Sequence, residues 1–189
     1  MPYYYIPKKE FKVVFKDEIK RYIENSPDDD FKFVLILSWL TGLRINEVIN
    51  LKKENFIILP EQDIIQITTQ VQKFGKQANP VFSFSDPYIL EIVDFINKHD
   101  YEKKLFKRGK RRYQQILLNL NKQLNSDDKS KYITFHYLRH SRITFLARHL
   151  RAFPEEIKAW TGHSSQAFEE YIAPRRVERF KGKFGRSFT

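Results

Sequence analysis

Residues 31–40 read FKFVLILSWL, a helical run that is apolar on nearly every side. A helix with one apolar stripe can lie on a surface, but one that is apolar all round has to be covered all round. The rest of the chain must therefore wrap this segment. The preceding SPDDD is a break followed by a helix start. Asp28, Asp29 and Asp30 suit an N-terminal cap and first turn, where the helix dipole favours acids, better than they suit a metal. Gly42 ends the run, and NEVINL starts a second short helix with Asn46 as its expected cap. With 189 residues there is enough chain for one domain with a substantial core.

The flanking patterns supply the wrapping. FKDEIKRYIEN, residues 15–25, is a short amphipathic helix with Ile19, Tyr22 and Ile23 on one face. The period then changes: FIIL, DIIQITTQV and NPVFSFS read as three strands, with QKFGKQA as a hairpin tip between the last two. Helical patterns return in PYILEIVDFINKH, RRYQQILLNLNKQLN and TFHYLRHSRITFLARHL. In the last of these Leu138, Ile143, Leu146 and Leu150 are expected to face the core. PEEIKAWTG runs from Pro154 to a stop at Gly162, and SQAFEEYIA is one more helix, interrupted by Pro174. The expected class is α+β, mainly α: a helical domain over residues 1–174 with a small antiparallel three-stranded sheet, then a basic tail over 175–189.

Charge narrows the partner. Lys and Arg number 34 against 23 Asp and Glu, a net charge of +11. That balance suits a polyanion, and nucleic acid ahead of a membrane, because no long apolar span or lipidation signal accompanies it. The absence of cysteine excludes disulfides, thiolate zinc sites and a thiol nucleophile. The opening MPYYYIPKKEF lacks the apolar run of a secretion signal, so an intracellular protein is expected. The densest basic run is YEKKLFKRGKRR. Lys103, Lys104, Lys107, Arg108, Lys110, Arg111 and Arg112 are expected to meet phosphates there; the plain alternative is a solvated loop with Tyr101 and Phe106 packed on the core.

FHYLRH, residues 135–140, concentrates candidate chemistry. On a helix, His136, Arg139 and His140 share one face. The His136…His140 spacing resembles that of a zinc helix, but Tyr137 stands where a general-base glutamate is needed and no third ligand is signalled, so no metal is expected. An arginine between two histidines suits phosphate oxygens, which a guanidinium binds bidentately. Arg44 is either a surface arginine near a helix end or, held between two apolar segments close to the core, a rigid charge that needs an anionic partner, from the protein or from a ligand. His163 follows the glycine that stops a helix, with Tyr171 about two helical turns further on. Taken alone, Tyr171 is an ordinary core or surface aromatic.

Together, TGLRINEVINL, HYLRH and TGHSS…Y resemble the tyrosine recombinase family, the phage integrases and Xer-type site-specific recombinases, over residues 40–172. The resemblance implies the tyrosine recombinase catalytic fold and DNA cutting and rejoining through a 3′-phosphotyrosyl intermediate. Arg44 and Arg139 would hold the scissile phosphate, His136 and His163 would assist proton transfer, and Tyr171 would attack. A hairpin lysine would protonate the leaving 5′-oxygen: Lys73 fits the family's hairpin pattern best, with Lys76 as the alternative that otherwise serves DNA binding. His140 would be a buried structural hydrogen-bonder, and Trp160 core beside the turn that presents His163. Neither metal nor cofactor is implied; the partners are double-stranded DNA and other copies of the chain, as a tetramer on DNA. The alternatives are relaxation of the type IB topoisomerase kind and a silent DNA-binding accessory protein.

Two departures from the family stand out. About 40 residues precede Arg44, so the N-terminal core-binding domain of a two-domain clamp is expected to be absent, as in an excised catalytic domain or a short member of the family. The interval from His163 to Tyr171 is one residue shorter than the common Xer-type spacing, which on a helix turns a side chain by about 100°. Either the loop compensates for that or Tyr171 is delivered to a neighbouring subunit. The resemblance implies a tail that docks on the next protomer, with Val177 and Phe180 as anchors and Phe184 and Phe188 extending the contact; the plain alternative is a frayed basic tail that touches DNA nonspecifically.

Overall fold

The structure, a computed structural model, describes residues 12–71, 76–100, 103–126 and 128–162, without the side chains of Val71 and Lys76. The apolar run is helix α2, Asp29–Thr41, packed chiefly against α6, Phe135–Arg148. Asp28 caps α2 by accepting from the Phe31 amide at 2.9 Å, and Gly42 ends it at φ +65°. That backbone region excludes most side chains, and a Cβ on Gly42 would meet the Cβ of Arg142 at 3.0 Å.

Helix α1, Lys16–Glu24, buries Ile19, Tyr22 and Ile23 as its pattern requires. Helix α3, Ile45–Val48, starts two residues earlier than expected. Its cap is Arg44 rather than Asn46, because the Glu47 carboxylate reaches back to accept the Arg44 amide at 2.7 Å. The strands are β1 Phe56–Leu59, β2 Ile64–Ile67, β3 Thr69–Val71, β4 Lys76–Ala78 and β5 Val81–Phe82. The three-stranded antiparallel sheet is present in the order β1-β2-β5, and β3-β4 form a separate antiparallel hairpin.

The expected long middle strand thus divides at Thr68, whose amide donates to the Asn55 carbonyl (2.8 Å) and whose carbonyl accepts from Asn55 Nδ2 (3.0 Å). NPVFSFS yields only the two-residue β5, since Asp63 takes the Phe84 amide (3.0 Å) and the Ser83 hydroxyl into a turn. Asn79 at the foot of the hairpin donates to the Ala159 carbonyl at 2.9 Å, on α7, Pro154–Thr161. The hairpin also packs on α3.

Helices α4, Pro87–Asn97, and α5, Lys110–Asn125, complete the main core. Phe106 is buried in it, as the packing alternative for the basic run expects. A smaller cluster of Ile143, Leu146, Ala147 and Ile157 joins α6 to α7. Leu150 is not part of it: α6 ends at Arg148, the chain turns through Arg151 at φ +53°, and Leu150 is left 57% exposed. Among the described residues no helix is long and apolar enough to cross a membrane.

Candidate active site

Arg44 and Arg139 arrive from different directions and meet at one carboxylate. The Gly42 turn delivers Arg44 to the start of α3, and the first turns of α6 deliver Arg139. Glu47, only 3% exposed, accepts from Arg44 Nη1 at 3.1 Å through Oε1, while its Oε2 lies 3.9 Å from Arg139 Nη1. Arg139 is equally buried and donates to the Gly42 carbonyl (2.5 Å) and the Thr161 carbonyl (3.2 Å). Those two carbonyls end α2 and α7, where helix dipoles are negative, so the structure neutralises part of a charge it has desolvated. Arg44 is partly exposed.

Both arginines line a cleft of about 530 Å³, together with exposed His136 and with Lys110 and Gln114 of α5; Leu117 and Phe135 add apolar walls. Three of the expected site residues, Arg44, His136 and Arg139, therefore share one cavity, and Lys110 from the basic run joins them. His140, the expected structural residue, is half-buried with its Nδ1 3.3 Å from the Thr144 hydroxyl. Burial, and then the charges of His136 and Arg148, push its pKa down to about 4, so the ring is neutral at pH 7. Lys73, His163 and Tyr171 lie outside the described residues, as do Tyr101 and the tail; of Lys76 the backbone alone is described, pairing with Val71 in the hairpin.

The basic run divides. Arg108 differs from the expected phosphate contact: both its terminal nitrogens donate to Asp28 at 2.8 Å, and Nη1 lies 3.2 Å from Asp30. Its bidentate bond is the main cause that holds the Asp28 carboxyl below the usual range. Tyr113 donates to Asp30 as well, and burial followed by that bond pushes its phenol up. This network ties the start of α2 to the start of α5. Lys103 pairs with Asp100 at the surface, and Lys104 donates to Asn50 Oδ1 at 2.6 Å. Lys107, Lys110, Arg111 and Arg112 are exposed, and the last three occupy the first turn of α5 behind an uncapping Gly109. Three cations in a first turn oppose the helix dipole, an arrangement relieved by an external anion.

Glu47 is the residue that sequence reasoning missed. Its one signal is position: three residues after Arg44 on a short helix, where side chains meet. Trp160, expected to be core, is partly buried and packs against it, and its indole N–H donates to the Thr41 carbonyl at 2.9 Å. Among the described residues no group of three or more His, Asp or Glu is placed to hold a metal ion.

A mainly helical domain with two arginines on a shared buried glutamate, opening into a basic cleft, defines a class of anion-binding site. The profile of the phage integrase family matches residues 12–173. No curated protein sequence matches the chain. Among solved structures, XerH site-specific recombinase in a post-cleavage complex with a palindromic difH substrate superposes with a TM-score of 0.64 at 18% identity, over 93% of this chain and 53% of that one. XerA recombinase gives 0.62 at 22% identity, over 94% and 68%. The Tn1549 transposon integrase in complex with transposon right-end DNA gives 0.62 at 16% identity, over 94% and 67%. The chain belongs to the phage integrase family, the tyrosine recombinases, and has their catalytic fold. It spans about half the length of the XerH chain.

Proposed function

We propose that this chain is a tyrosine recombinase catalytic domain, residues 1–174, that cuts and rejoins double-stranded DNA at specific sites. The observation that carries the reading is the meeting of Arg44 and Arg139 at Glu47, in a cleft that also holds His136. A phosphodiester repels nucleophiles, and in-line attack increases charge on its nonbridging oxygens, where two fixed guanidiniums are best placed. Glu47 holds them apart and oriented before DNA arrives, so little reorganisation is left for the reaction step.

In the proposed step the Tyr171 oxygen attacks phosphorus and the bond to the 5′-oxygen breaks. The phenol proton leaves through His136 or His163. Lys73, or alternatively Lys76, gives a proton to the departing 5′-oxygen. A free 5′-hydroxyl reverses the reaction, because the phosphotyrosyl ester conserves the bond; no ATP is consumed. A phenol of pKa ~10 needs this positive surrounding to react at neutral pH.

Lys107, Lys110, Arg111 and Arg112 would track the phosphate backbone, and the tail would join copies of the chain into a tetramer on DNA. A chromosomal or plasmid substrate implies an intracellular setting. A nicked suicide substrate tests the proposal: the wild-type chain should form a covalent protein–DNA adduct that Tyr171→Phe abolishes. An adduct that survives this substitution, or none from the wild type on any family-type site, would refute it.

A further inference from the structure

Arg142 is a second, partly buried arginine on α6, one turn beyond Arg139, and the mechanism above gives it no task. Its guanidinium carbon lies 4.9 Å from the ring centre of Trp160, 5.1 Å from that of Phe145 and 5.6 Å from that of Phe82. Three rings from α7, α6 and β5 thus form a cage around one cation. Its Nε is buried, with no hydrogen-bond partner among the described residues. It makes no ion pair among the described residues; the one carboxylate whose field it feels is Asp86, whose side chain caps α4 by accepting the Tyr88 amide at 3.0 Å. Burial pushes the guanidinium down to about 10, and it still carries its charge at neutral pH.

An apolar side chain of this length would fill the cage without the desolvation penalty. Stability therefore does not account for the arginine, whereas its location offers a reason. Arg139 binds the carbonyls of Gly42 and Thr161, and Arg142 contacts the same two turns: its Cβ packs under Gly42, and its cage partner Trp160 donates to Thr41. The two arginines clamp the ends of α2 and α7 side by side. One of these ends delivers Arg44, and the other precedes His163.

We propose that Arg142 is a positioning residue: its caged guanidinium seats the end of α7 on the Gly42 turn, and its charge adds to the field of Arg44 and Arg139 at the anion site. The inference rests on the recombinase reading for its effect on rate.

Arg142→Met and Arg142→Lys in the whole chain test it, with adduct formation measured on saturating nicked DNA alongside thermal melting. Arg142→Met should melt within about 3 °C of the wild type or above it, and should form adduct on the order of tenfold more slowly, the scale of one unit charge acting through protein. Arg142→Lys should recover most of the rate. Wild-type rate in Arg142→Met, or equal slowness in Arg142→Lys, would overturn the proposal. So would a melting loss above about 10 °C in Arg142→Met, which would make the arginine a stabilising residue. The melting result stands even if the wild type forms no adduct, an outcome that would instead count against the recombinase reading.

Discussion

Glu47→Gln removes one charge and almost no volume from the centre of the site. The carboxylate accepts the Arg44 amide at 2.7 Å and Arg44 Nη1 at 3.1 Å, and it faces Arg139 Nη1 at 3.9 Å. A glutamine has one acceptor oxygen. If that oxygen keeps the amide bond, its NH2 group points at an arginine N–H, and a buried donor is left facing a donor. Loss of one charge-assisted hydrogen bond costs roughly 1.5–3 kcal/mol, and stranding a buried partner costs about 3–5 kcal/mol. Arg139 keeps its two carbonyl acceptors and Arg44 is partly solvated, so the expected loss is near the lower figure, about 3 kcal/mol. For a chain of this size that corresponds to a melting temperature lower by about 6–12 °C. The substitution also leaves two guanidiniums without their resident anion, so sulfate should bind the variant more tightly and restore more of its stability than it adds to the wild type. Scanning fluorimetry across a sulfate titration measures both effects. A loss under about 2 °C, or equal sulfate responses, would refute the role assigned to Glu47.

Arg44→Ala should slow adduct formation by about a hundredfold or more, as for loss of a transition-state donor, with a smaller change in DNA affinity measured by fluorescence anisotropy; equal losses would make Arg44 a docking residue only. Arg111→Ala with Arg112→Ala should flatten the dependence of log affinity on log salt by roughly 0.9 per lost phosphate contact. Arg108→Ala should leave that slope unchanged and lower the melting temperature, because its partners are Asp28 and Asp30. His140 has a folded pKa lowered to about 4 from 6.5. Its neutral ring therefore supports the fold fully above pH 6.5, and that support is lost as pH falls from 6.5 towards 4. With the shift discounted for solvent screening, the support is about 1–2 kcal/mol. Between pH 7 and pH 4.5 the wild type should lose more melting temperature than His140→Gln; parallel curves would contradict this.

The helices were legible because their signals are local. An all-round apolar run predicts a buried α2, and Asp28 and Gly42 mark its ends through backbone hydrogen bonding and a positive φ. The strands were legible in type but not in extent. What divides DIIQITTQV is Asn55, and what shortens NPVFSFS is Asp63; each acts from a distant position that no window of the sequence contains. The same distinction runs through the site. Arg139 could be found because a short motif surrounds it. Arg142, three residues on, carries the same charge on the same helix, yet its cage is assembled from Phe82 and Trp160 as well as its helical neighbour Phe145. Arg108 reads as one more base in a basic run until the fold brings Asp28 to it. A cation's role here follows from which anion or ring reaches it, and folding decides that. Among the described residues, the bases of the run that remain exposed without a side-chain partner, Lys107, Lys110, Arg111 and Arg112, are accordingly the better estimate of the DNA-facing surface than the run as a whole.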